Sequence, residues 1–351
     1  MTTFILRRLA ATVPVLAIIA VVVFAALRLA GADPVAFLAE EGGATQADRF
    51  LLRARAGLND PLPMQFVHWL IGDDWYARDV TGDGVVDEYG KRQGILRGDL
   101  GVSLNYGRPV EDVIGQALPN TLLLGLTSLA VTVIASLGIG VFAATRRFTL
   151  ADGVITGAAF ITYSMPVFFI ALMSVQIFAV QFKAWHDAGA SWLPYLPVQG
   201  MYDVRGDRSP ADLARHMILP VLCLSAIHVA GYSRYIRAAL LEVLGADYVR
   251  TARAKGLSER RVIWLHAFKN AALPLVTLLA LDLPFVLAGA VVTETIFAWP
   301  GMGRLYINSL EPLDPPVVLA FVLLIALAVV LAQLAADLAY AWLDPRIRYG
   351  T

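Results

Sequence analysis

The sequence predicts an all-α integral membrane protein with six transmembrane helices. Hydrophobic residues make up 58% of its 351 residues and charged residues only 16%, and the mean hydropathy is +0.65. Soluble domains carry about 25% charged residues, so this composition indicates a membrane protein. Six apolar segments are about long enough to cross a hydrocarbon layer of roughly 30 Å as helices. They run approximately over Leu9–Leu29, Thr121–Ala144, Val154–Val180, Met217–Tyr232, Leu273–Ala298 and Pro316–Leu343.

The first span has some features of a signal peptide. Arg7 and Arg8 precede it, and the small residues Ala30, Gly31 and Ala32 follow it. Its roughly twenty apolar residues exceed the 7–15 of a signal peptide's apolar region. We therefore expect an uncleaved anchor.

The distribution of basic residues predicts the orientation. With the N-terminus in the cytoplasm, six crossings return the C-terminus there, and the cytoplasmic pieces hold fourteen Lys and Arg against five Asp and Glu. The positive-inside rule favours this N-in, C-in arrangement. The expected domain order is residues 1–30 for the N-terminus and first span, 31–117 for an external segment, 118–343 for a five-helix core with a cytoplasmic loop at 234–272, and 344–351 for a cytoplasmic tail.

The external segment is too long for a plain loop and should contain structure of its own. Residues 59–70 read as a turn leading into an amphipathic helix, with Phe66, Trp69 and Leu70 against the membrane or the body. Val110–Ala117 reads as a separate approach helix before Pro119. A second external stretch, residues 181–215, is rich in Trp, Tyr and Pro and reads as an irregular interfacial loop.

Part of the external segment has the pattern of a calcium loop. Oxygen ligands fall at positions 1, 3, 5, 7 and 9 and a glycine at position 6, but position 12 is Gly90 instead of an acid. A Ca²⁺ site completed by Glu88 and a cation-free acidic turn both remain open. The candidate ligands are Asp79, Thr81, Asp83, Val85 (through its carbonyl), Asp87 and Glu88.

The most polar stretch of the core runs from Leu244 to Pro274 and predicts a knob of two short helices. Asp247 is placed to cap the first helix, and Gly256 to take a left-handed turn after it. Ser258 is placed to cap the second helix, which carries Val262, Leu265 and Phe268 along one side. Two capped helices joined by a glycine are more structured than an ordinary loop between spans. We therefore expect a soluble partner to push on the knob.

Three acids lie within or near the predicted spans. Asp282 and Glu294 belong to the fifth span, and Asp337 lies near the cytoplasmic end of the sixth. Intramembrane carboxylates are costly and so are candidates for function. Asp282 and Glu294 are candidates for the lining of a translocation path or for a proton relay. The alternative is hydrogen bonding between helices or pairing with an arginine of a partner subunit; it remains open for Asp282 and is the stronger one for Asp337.

Enzymatic chemistry is not evident in the sequence. It lacks the spacing of a phosphate-binding P-loop, so no nucleotide is expected to bind this chain. Its five His are scattered, and the single Cys223 lies in an apolar run. We expect the chain to interact with the lipid membrane and not with nucleic acid.

Several stretches, in their order along the chain, resemble the membrane subunits of binding-protein-dependent ABC importers. The likeness is to the first permease of the dipeptide/oligopeptide/nickel group. In this family the knob is called the EAA loop. Here Arg250, Thr251 and Ala252 stand where Glu-Ala-Ala usually precedes the glycine. The Leu-Pro pair of this chain comes five residues later than in the general family pattern. Both departures resemble the peptide-importer branch. The stretches are residues 4–9 with Asp33 and Pro34, 98–101 with 119–121, 247–274, 294–303 and 343–349.

The resemblance implies the type I ABC importer fold and a transport subunit, with ATP hydrolysis on separate subunits. Two such permeases would pair, each placing its knob in a cleft of one of two ATPase subunits, and an external binding protein would deliver the peptide. The implied ATPase-coupling residues are Asp247, Arg250, Ala252, Arg253, Ala254, Lys255, Gly256 and Arg260. The inner membrane of a bacterium or archaeon is the expected location.

Alternatives stay open at this point. Permeases of this group carry dipeptides, longer peptides, nickel or other small solutes, and the sequence does not choose among them. A proton-coupled carrier or channel that uses the intramembrane acids is an alternative from another class, although such carriers usually show inverted repeats and more spans. An intramembrane hydrolase would need a paired catalytic set at matched depth.

Overall fold

The computed structural model describes residues 2–29, 45–81, 86, 88–190, 192, 194–204, 206–271, 275, 278–279, 282, 290–310 and 314–343. Within them the chain is mostly helical. It divides into two compact units, Met1–Leu118 with Leu305–Leu327 and Pro119–Arg304 with Ala328–Thr351.

The first unit begins with a long apolar helix and a set of short elements. Phe66 and Trp69 of its third helix pack against Phe24 of its first, with ring centroids 5.4 Å apart in both cases. Of the two surroundings expected for these side chains, the membrane or the body, the structure shows the body for Phe66 and Trp69. The elements are α1 (Thr2–Leu29), α2 (Gln46–Arg55), α3 (Leu62–Ile71), β1 (Ala77–Arg78), β2 (Glu88–Tyr89) and a 3₁₀ turn at Ile95–Arg97.

A buried guanidinium organises the region around the two strands. β1 and β2 pair antiparallel, and β1 carries Arg78, whose side chain is 6% exposed. Arg78 donates to Asp73 Oδ2 at 2.8 Å and to His68 Nδ1 at 3.0 Å. Burial, together with this neighbouring positive charge, lowers the pKa of His68. These contacts join the short helix to the hairpin.

The second unit contains most of the remaining helices. Thr149 and Ser209 cap two of them, each accepting from the backbone N–H of an Asp three residues on. The helices are α4 (Val110–Thr145), α5 (Leu150–Ser164), α6 (Val167–Ser174), a π-helical turn (Val175–Gln181), α7 (Phe182–Asp187), α8 (Pro210–Leu244), α9 (Asp247–Ala254), α10 (Glu259–Arg261), a second π-helical turn (Val262–Ala267), α11 (Phe268–Ala271), α12 (Val291–Ile296), α13 (Met302–Leu310) and α14 (Pro315–Leu343). The first of these, α4, begins in the first unit, and α13 and α14 also belong to both.

Two sequence-based element assignments were wrong. The Val110–Ala117 approach helix is not separate, because α4 runs without a break through Pro119. The third span, expected over Val154–Val180, is interrupted: α5 ends at Ser164, and Met165 is extended with ψ 136°. Pro166 explains the interruption, since the residue before a proline is driven out of the helical region and proline itself has no N–H to donate.

Five helices among the described residues are long and apolar enough to cross a membrane. The fifth predicted span, Leu273–Ala298, falls mostly outside the described residues, so the count of six and the orientation stay predictions. The five are Ala10–Leu29, Val110–Thr145, Val167–Asp187, Pro210–Leu244 and Pro315–Ala335.

Candidate functional site

Residues 247–271, called the knob below, fold as two short helical segments joined by a tight turn. The first, α9, ends at Ala254, and the second begins at Glu259. Between them Gly256 has a φ of +77°, the left-handed conformation expected from the sequence. The helix–glycine–helix arrangement is therefore confirmed.

The caps of these two segments differ from the sequence-based expectation. The N-cap position of α9 is Ala246, and Asp247 is already the first helical residue, so its carboxylate cannot accept a capping hydrogen bond. It lies 3.5 Å from the guanidinium of Arg250 instead, with 96% of its side chain exposed. Ser258 does occupy the N-cap of the second segment, but its side chain makes no capping hydrogen bond.

An ion pair closes the turn around Gly256. Arg253 donates from Nη2 to Glu259 Oε1 at 2.6 Å and from Nε to Oε2 at 3.1 Å. These hydrogen bonds lower the pKa of Glu259 below its ordinary value. The two partners come from opposite sides of the turn, so the pair stiffens the glycine hinge.

One face of the knob is buried in an apolar cluster. Val249, Val262 and Ala267 are each 0% exposed and belong to the same cluster as Ile236 and Leu240 of α8. Burying a Val side chain stabilises a fold by about 1.5–3 kcal/mol. The knob is therefore packed firmly on α8 and not suspended from a flexible linker.

This packing corrects two sequence-based expectations. Ala252, expected in the docking turn, is 5% exposed and faces the cluster, so it supports the knob from inside. Leu265, expected on the same side as Val262, is 60% exposed. Residues 262–267 form a π-helical turn with i→i+5 hydrogen bonds, which rotates Leu265 outward and places Ala267 inward.

The other expected coupling residues lie on the exposed side of the knob. A macromolecular partner can reach their side chains or, at the glycine, the backbone. These residues are Asp247, Arg250, Arg253, Ala254, Lys255, Gly256 and Arg260.

Both expected path residues, Asp282 and Glu294, line one cavity of about 370 Å³ in the second unit. Its wall is mostly apolar, with hydroxyl groups of Ser128 and Thr132 on α4 and the imidazole of His228 on α8. A mostly apolar cavity with a few convergent polar groups is the usual form of a small-molecule site.

Asp282 is the accessible carboxylate of this cavity. Its side chain is 26% exposed, and Oδ2 lies 3.1 Å from His228 Nδ1. The Tyr232 hydroxyl donates to the same oxygen. Both partners lie on α8, one helical turn apart, so α8 sets the position of this carboxylate.

Glu294 is buried, and its oxygens are already engaged. Thr121 Oγ1 donates to Oε1 at 2.8 Å, and the backbone N–H groups of Gly303 and Arg304 donate to Oε2 at 2.8 and 3.1 Å. The carboxylate thus binds the N-terminus of α13, where backbone N–H groups lack partners within the helix. Its immediate role is to hold this segment in place.

Residues 119–121 and 294–303, noted separately in the sequence, form one interlock. The indole of Trp299, 0% exposed, donates to Asn120 O at 3.0 Å, and Asn120 Nδ2 donates to Pro300 O at 2.8 Å. Gly301 is required for this approach, because an added Cβ would lie 2.5 Å from the carboxylate of Glu294. The sequence identified both stretches but not their contact.

Family comparisons agree with the sequence resemblance. The model of the binding-protein-dependent transport system inner membrane component matches residues 136–349, which include the knob, both carboxylates of the cavity and the 294–303 half of the interlock. The model of the N-terminal part of such membrane components matches residues 1–125.

The chain belongs to this family of inner membrane transport components.

Relatives of this membrane component cover its whole length. The probable peptide ABC transporter permease y4tP of Sinorhizobium fredii is 36% identical over 351 residues, covering 99% of this chain and 100% of the relative. The oligopeptide permease AppB of Bacillus subtilis is 34% identical over 350 residues, with the same coverages. The dipeptide permease DppB of Escherichia coli is 36% identical over 359 residues, with 99% of each chain covered.

A further pair in this membrane component was not found by sequence reasoning. Arg237 of α8 donates to both carboxylate oxygens of Asp152, at 2.6 and 2.7 Å, and Asp152 is 4% exposed. The only local signal was Thr149 three residues before Asp152, which predicts a helix cap and not a partner 85 residues away.

Two remaining predictions are not tested. In the candidate Ca²⁺ loop, Asp83, Val85 and Asp87 lie outside the described residues. Thr81 Oγ1 donates to Asp79 Oδ1 at 3.5 Å, and Glu88 pairs with Arg55 at 3.2 Å. Asp337 lies on α14 and does not line the cavity that contains Asp282 and Glu294.

Proposed function

We propose that the chain is one of two membrane subunits of an ATP-driven importer for di- or oligopeptides. The observation that carries the proposal is a single rigid helix, α8, that contacts both the knob and the cavity. Three full-length relatives named as peptide permeases support the peptide as substrate.

The knob and the cavity share α8 as a mechanical link. Ile236 and Leu240 hold the buried face of the knob, while His228 and Leu224 line the cavity. His228 and Leu240 are twelve residues apart, about 18 Å along a helix that rises about 1.5 Å per residue. A displacement of the knob therefore tilts or shifts the helix that positions Asp282.

In this proposal the knob faces the cytoplasm and receives motion from an ATPase subunit. Its exposed cations, Arg250, Lys255 and Arg260, meet acidic groups on the ATPase, and the turn at Gly256 enters a cleft. When the two ATPase subunits bind ATP, they close on each other and move both knobs of the permease pair. The sequence has no P-loop, so hydrolysis takes place on those separate subunits.

The cavity forms part of the peptide path on this side of the pair. A volume of about 370 Å³ lies at the lower end of small-ligand sites, which span roughly 300–1,000 Å³, and suits a dipeptide. Asp282 supplies one accessible carboxylate for the cationic amino terminus of the peptide. Backbone groups and hydroxyls of the wall supply the remaining polar contacts. An external binding protein delivers the peptide and selects it.

The test is reconstitution of the chain with its partner permease, two ATPase subunits and the binding protein in liposomes. We expect uptake of a labelled dipeptide that requires ATP and the binding protein. Uptake driven by a proton gradient without ATP would contradict the proposal and support the carrier alternative. ATP-dependent uptake of Ni²⁺ but not of peptides would overturn the substrate assignment while keeping the transport mechanism.

A further inference from the structure

Three side chains with metal-ligating atoms lie together near the start of α8. One ligand atom from each of Asp203, Asp212 and His216 lies within 4.8 Å of the other two. Two atoms that bind the same ion through bonds of about 2.0–2.2 Å can be at most about 4.4 Å apart. The three groups are therefore close enough to share one ion once their side chains rotate toward it.

The imidazole of His216 is already oriented for coordination. The residue is 2% exposed, and Nδ1 donates to the backbone carbonyl of Asp212 at 2.9 Å. A hydrogen bond at Nδ1 fixes the tautomer that leaves a lone pair on Nε2. Among the described residues Nε2 makes no hydrogen bond, and its recorded neighbour is Asp203 Oδ1 at 3.8 Å. That distance is too long for a hydrogen bond but suits two ligands of one ion.

The two carboxylates are held in place by different contacts. Asp212 lies in the first turn of α8, where its N–H donates to Ser209 Oγ at 3.2 Å. Its Oδ2 accepts from the backbone N–H of Asp203 at 2.9 Å, which ties the preceding loop to the helix. Its Oδ1 lies 3.2 Å from His216 Nδ1, so the carboxylate packs against the same imidazole. None of these contacts involves the Nε2 edge of the buried imidazole, which faces Asp203.

We propose that Asp203, Asp212 and His216 bind a divalent transition-metal ion, Zn²⁺ by preference. One imidazole nitrogen and two carboxylate oxygens form a donor set that suits Zn²⁺. The ion binds through Nε2 of His216 and one oxygen of each carboxylate. Two negative charges more than offset the partial positive charge of the helix N-terminus, about half a unit.

The remaining coordination positions face an open cavity. The Asp203 side chain is 63% exposed, and the adjoining cavity of about 680 Å³ admits water to the ion. Lys183 lines the same cavity, but its ammonium pairs with Asp187 at 2.6 Å. The ion fastens the loop at residues 194–204 to α8, in the 181–215 stretch that charge distribution predicts outside the membrane.

The experiment uses the full chain in detergent, purified through a histidine-free tag and stripped with EDTA that is then removed. Zn²⁺ binding is measured by equilibrium dialysis with elemental analysis. We expect one Zn²⁺ per chain and at least a tenfold weaker affinity in Asp203→Asn, whose exposed side chain should not affect folding. Asp207→Asn, the same charge loss in the same loop, is the matched control and should bind as the wild type does.

A second readout follows the loop itself. Zn²⁺ should slow tryptic cleavage after Arg208 in the wild type and in Asp207→Asn but not in Asp203→Asn. The proposal is overturned if the wild type binds no Zn²⁺, or if Asp203→Asn keeps wild-type affinity and protection. Equally weakened Zn²⁺ binding in Asp203→Asn and Asp207→Asn would indicate only a general charge effect and would also overturn the proposal.

Discussion

Arg237 of α8 and Asp152 of α5 form a bidentate ion pair, with donor–acceptor distances of 2.6 and 2.7 Å. Ile236 and Leu240, the neighbours of Arg237 on the same helix, pack against the knob. The ion pair therefore fixes the part of α8 on which the knob rests. Any force applied to the knob meets a braced helix and not a loose one.

Replacing Asp152 by Asn should lower the thermal stability of the purified chain by several degrees, because the Arg237 guanidinium loses its charged partner. Arg237 donates two hydrogen bonds that hold the pKa of Asp152 at about 2, below the ordinary 3.8. The ion pair of Asp152 with Arg237 therefore stabilises the fold fully above about pH 4, and this stabilisation is lost as the pH falls through about 2. Wild type and variant should thus differ at pH 5 and converge near pH 2.

Asp187→Asn is the control for that measurement. It removes an exposed pair with Lys183 and should change the melting temperature little, since such pairs contribute about 0–1 kcal/mol. Equal melting temperatures of Asp152→Asn and the wild type at pH 5 would contradict the bracing role.

Gly256→Val should leave the protein inserted but uncouple transport from ATP hydrolysis. Among the described residues no atom lies within 4 Å of an added Cβ, so the damage comes from the φ of +77°, at about 1–3 kcal/mol of strain. Gly256→Asn should retain more coupling, because Asn tolerates this conformation. Uptake per ATP hydrolysed in liposomes is the measurement. Full coupling in Gly256→Val would exclude the turn from the coupling role.

Arg253→Glu should weaken binding of the ATPase subunits and introduce repulsion against Glu259. The double variant with Glu259→Arg restores the pair across the turn but leaves the charge at position 253 reversed. The pair is exposed and contributes about 0.2–1 kcal/mol, so neither variant should unfold the chain. Copurification of the ATPase reports the outcome: recovery in the double variant would assign Arg253 to bracing alone, and continued loss would assign it to partner binding.

Gly301→Ala should destabilise the second unit by about 1–3 kcal/mol, because the new methyl group would lie 2.5 Å from the Glu294 carboxylate. Gly157→Ala is the matched control, since an added Cβ there meets no atom within 4 Å. Thermal unfolding of both variants checks the expectation. A Gly301→Ala protein as stable as the control would show that the interlock accommodates the added methyl group without loss of stability.

Asp282→Asn should reduce peptide uptake at least tenfold while the complex still assembles and hydrolyses ATP. The variant removes the accessible charge of the cavity but keeps the shape of the side chain, and Tyr232 and His228 remain on α8. Ser128→Ala alters the same cavity without changing its charge and should transport at near the wild-type rate. Unchanged uptake in Asp282→Asn would remove this carboxylate from the peptide path.

Local features of the fold were predictable from the sequence, and contacts between distant segments were not. The turn at Gly256 was predictable, because glycine between two helical patterns has a local physical reason. The break at Pro166 was visible in principle, but the apolar run on both sides of it favoured one continuous span. The outward rotation of Leu265 depends on a π-helical turn that has no signature in the pattern of residues.

The site shows the same division. Sequence reasoning identified Asp282, Glu294 and the knob from their residue types and positions. It could not show that Thr121 and Glu294 meet, since a hydrogen bond across 173 residues leaves no trace in a single sequence. Nor could it distinguish the engaged carboxylate of Glu294 from the accessible one of Asp282, which depends on burial and partners.

The interlock of Thr121, Glu294 and Trp299 also bears on how the chain is made. Residues near position 120 leave the ribosome long before those near position 300, and synthesis proceeds at about 5–20 residues per second. Thr121 therefore waits roughly 10–35 seconds for its partner, with its hydroxyl on an apolar helix. During that interval the nascent protein depends on water, lipid headgroups or the insertion machinery to satisfy it. Closure of the interlock marks the point at which the newly made polypeptide no longer needs that protection.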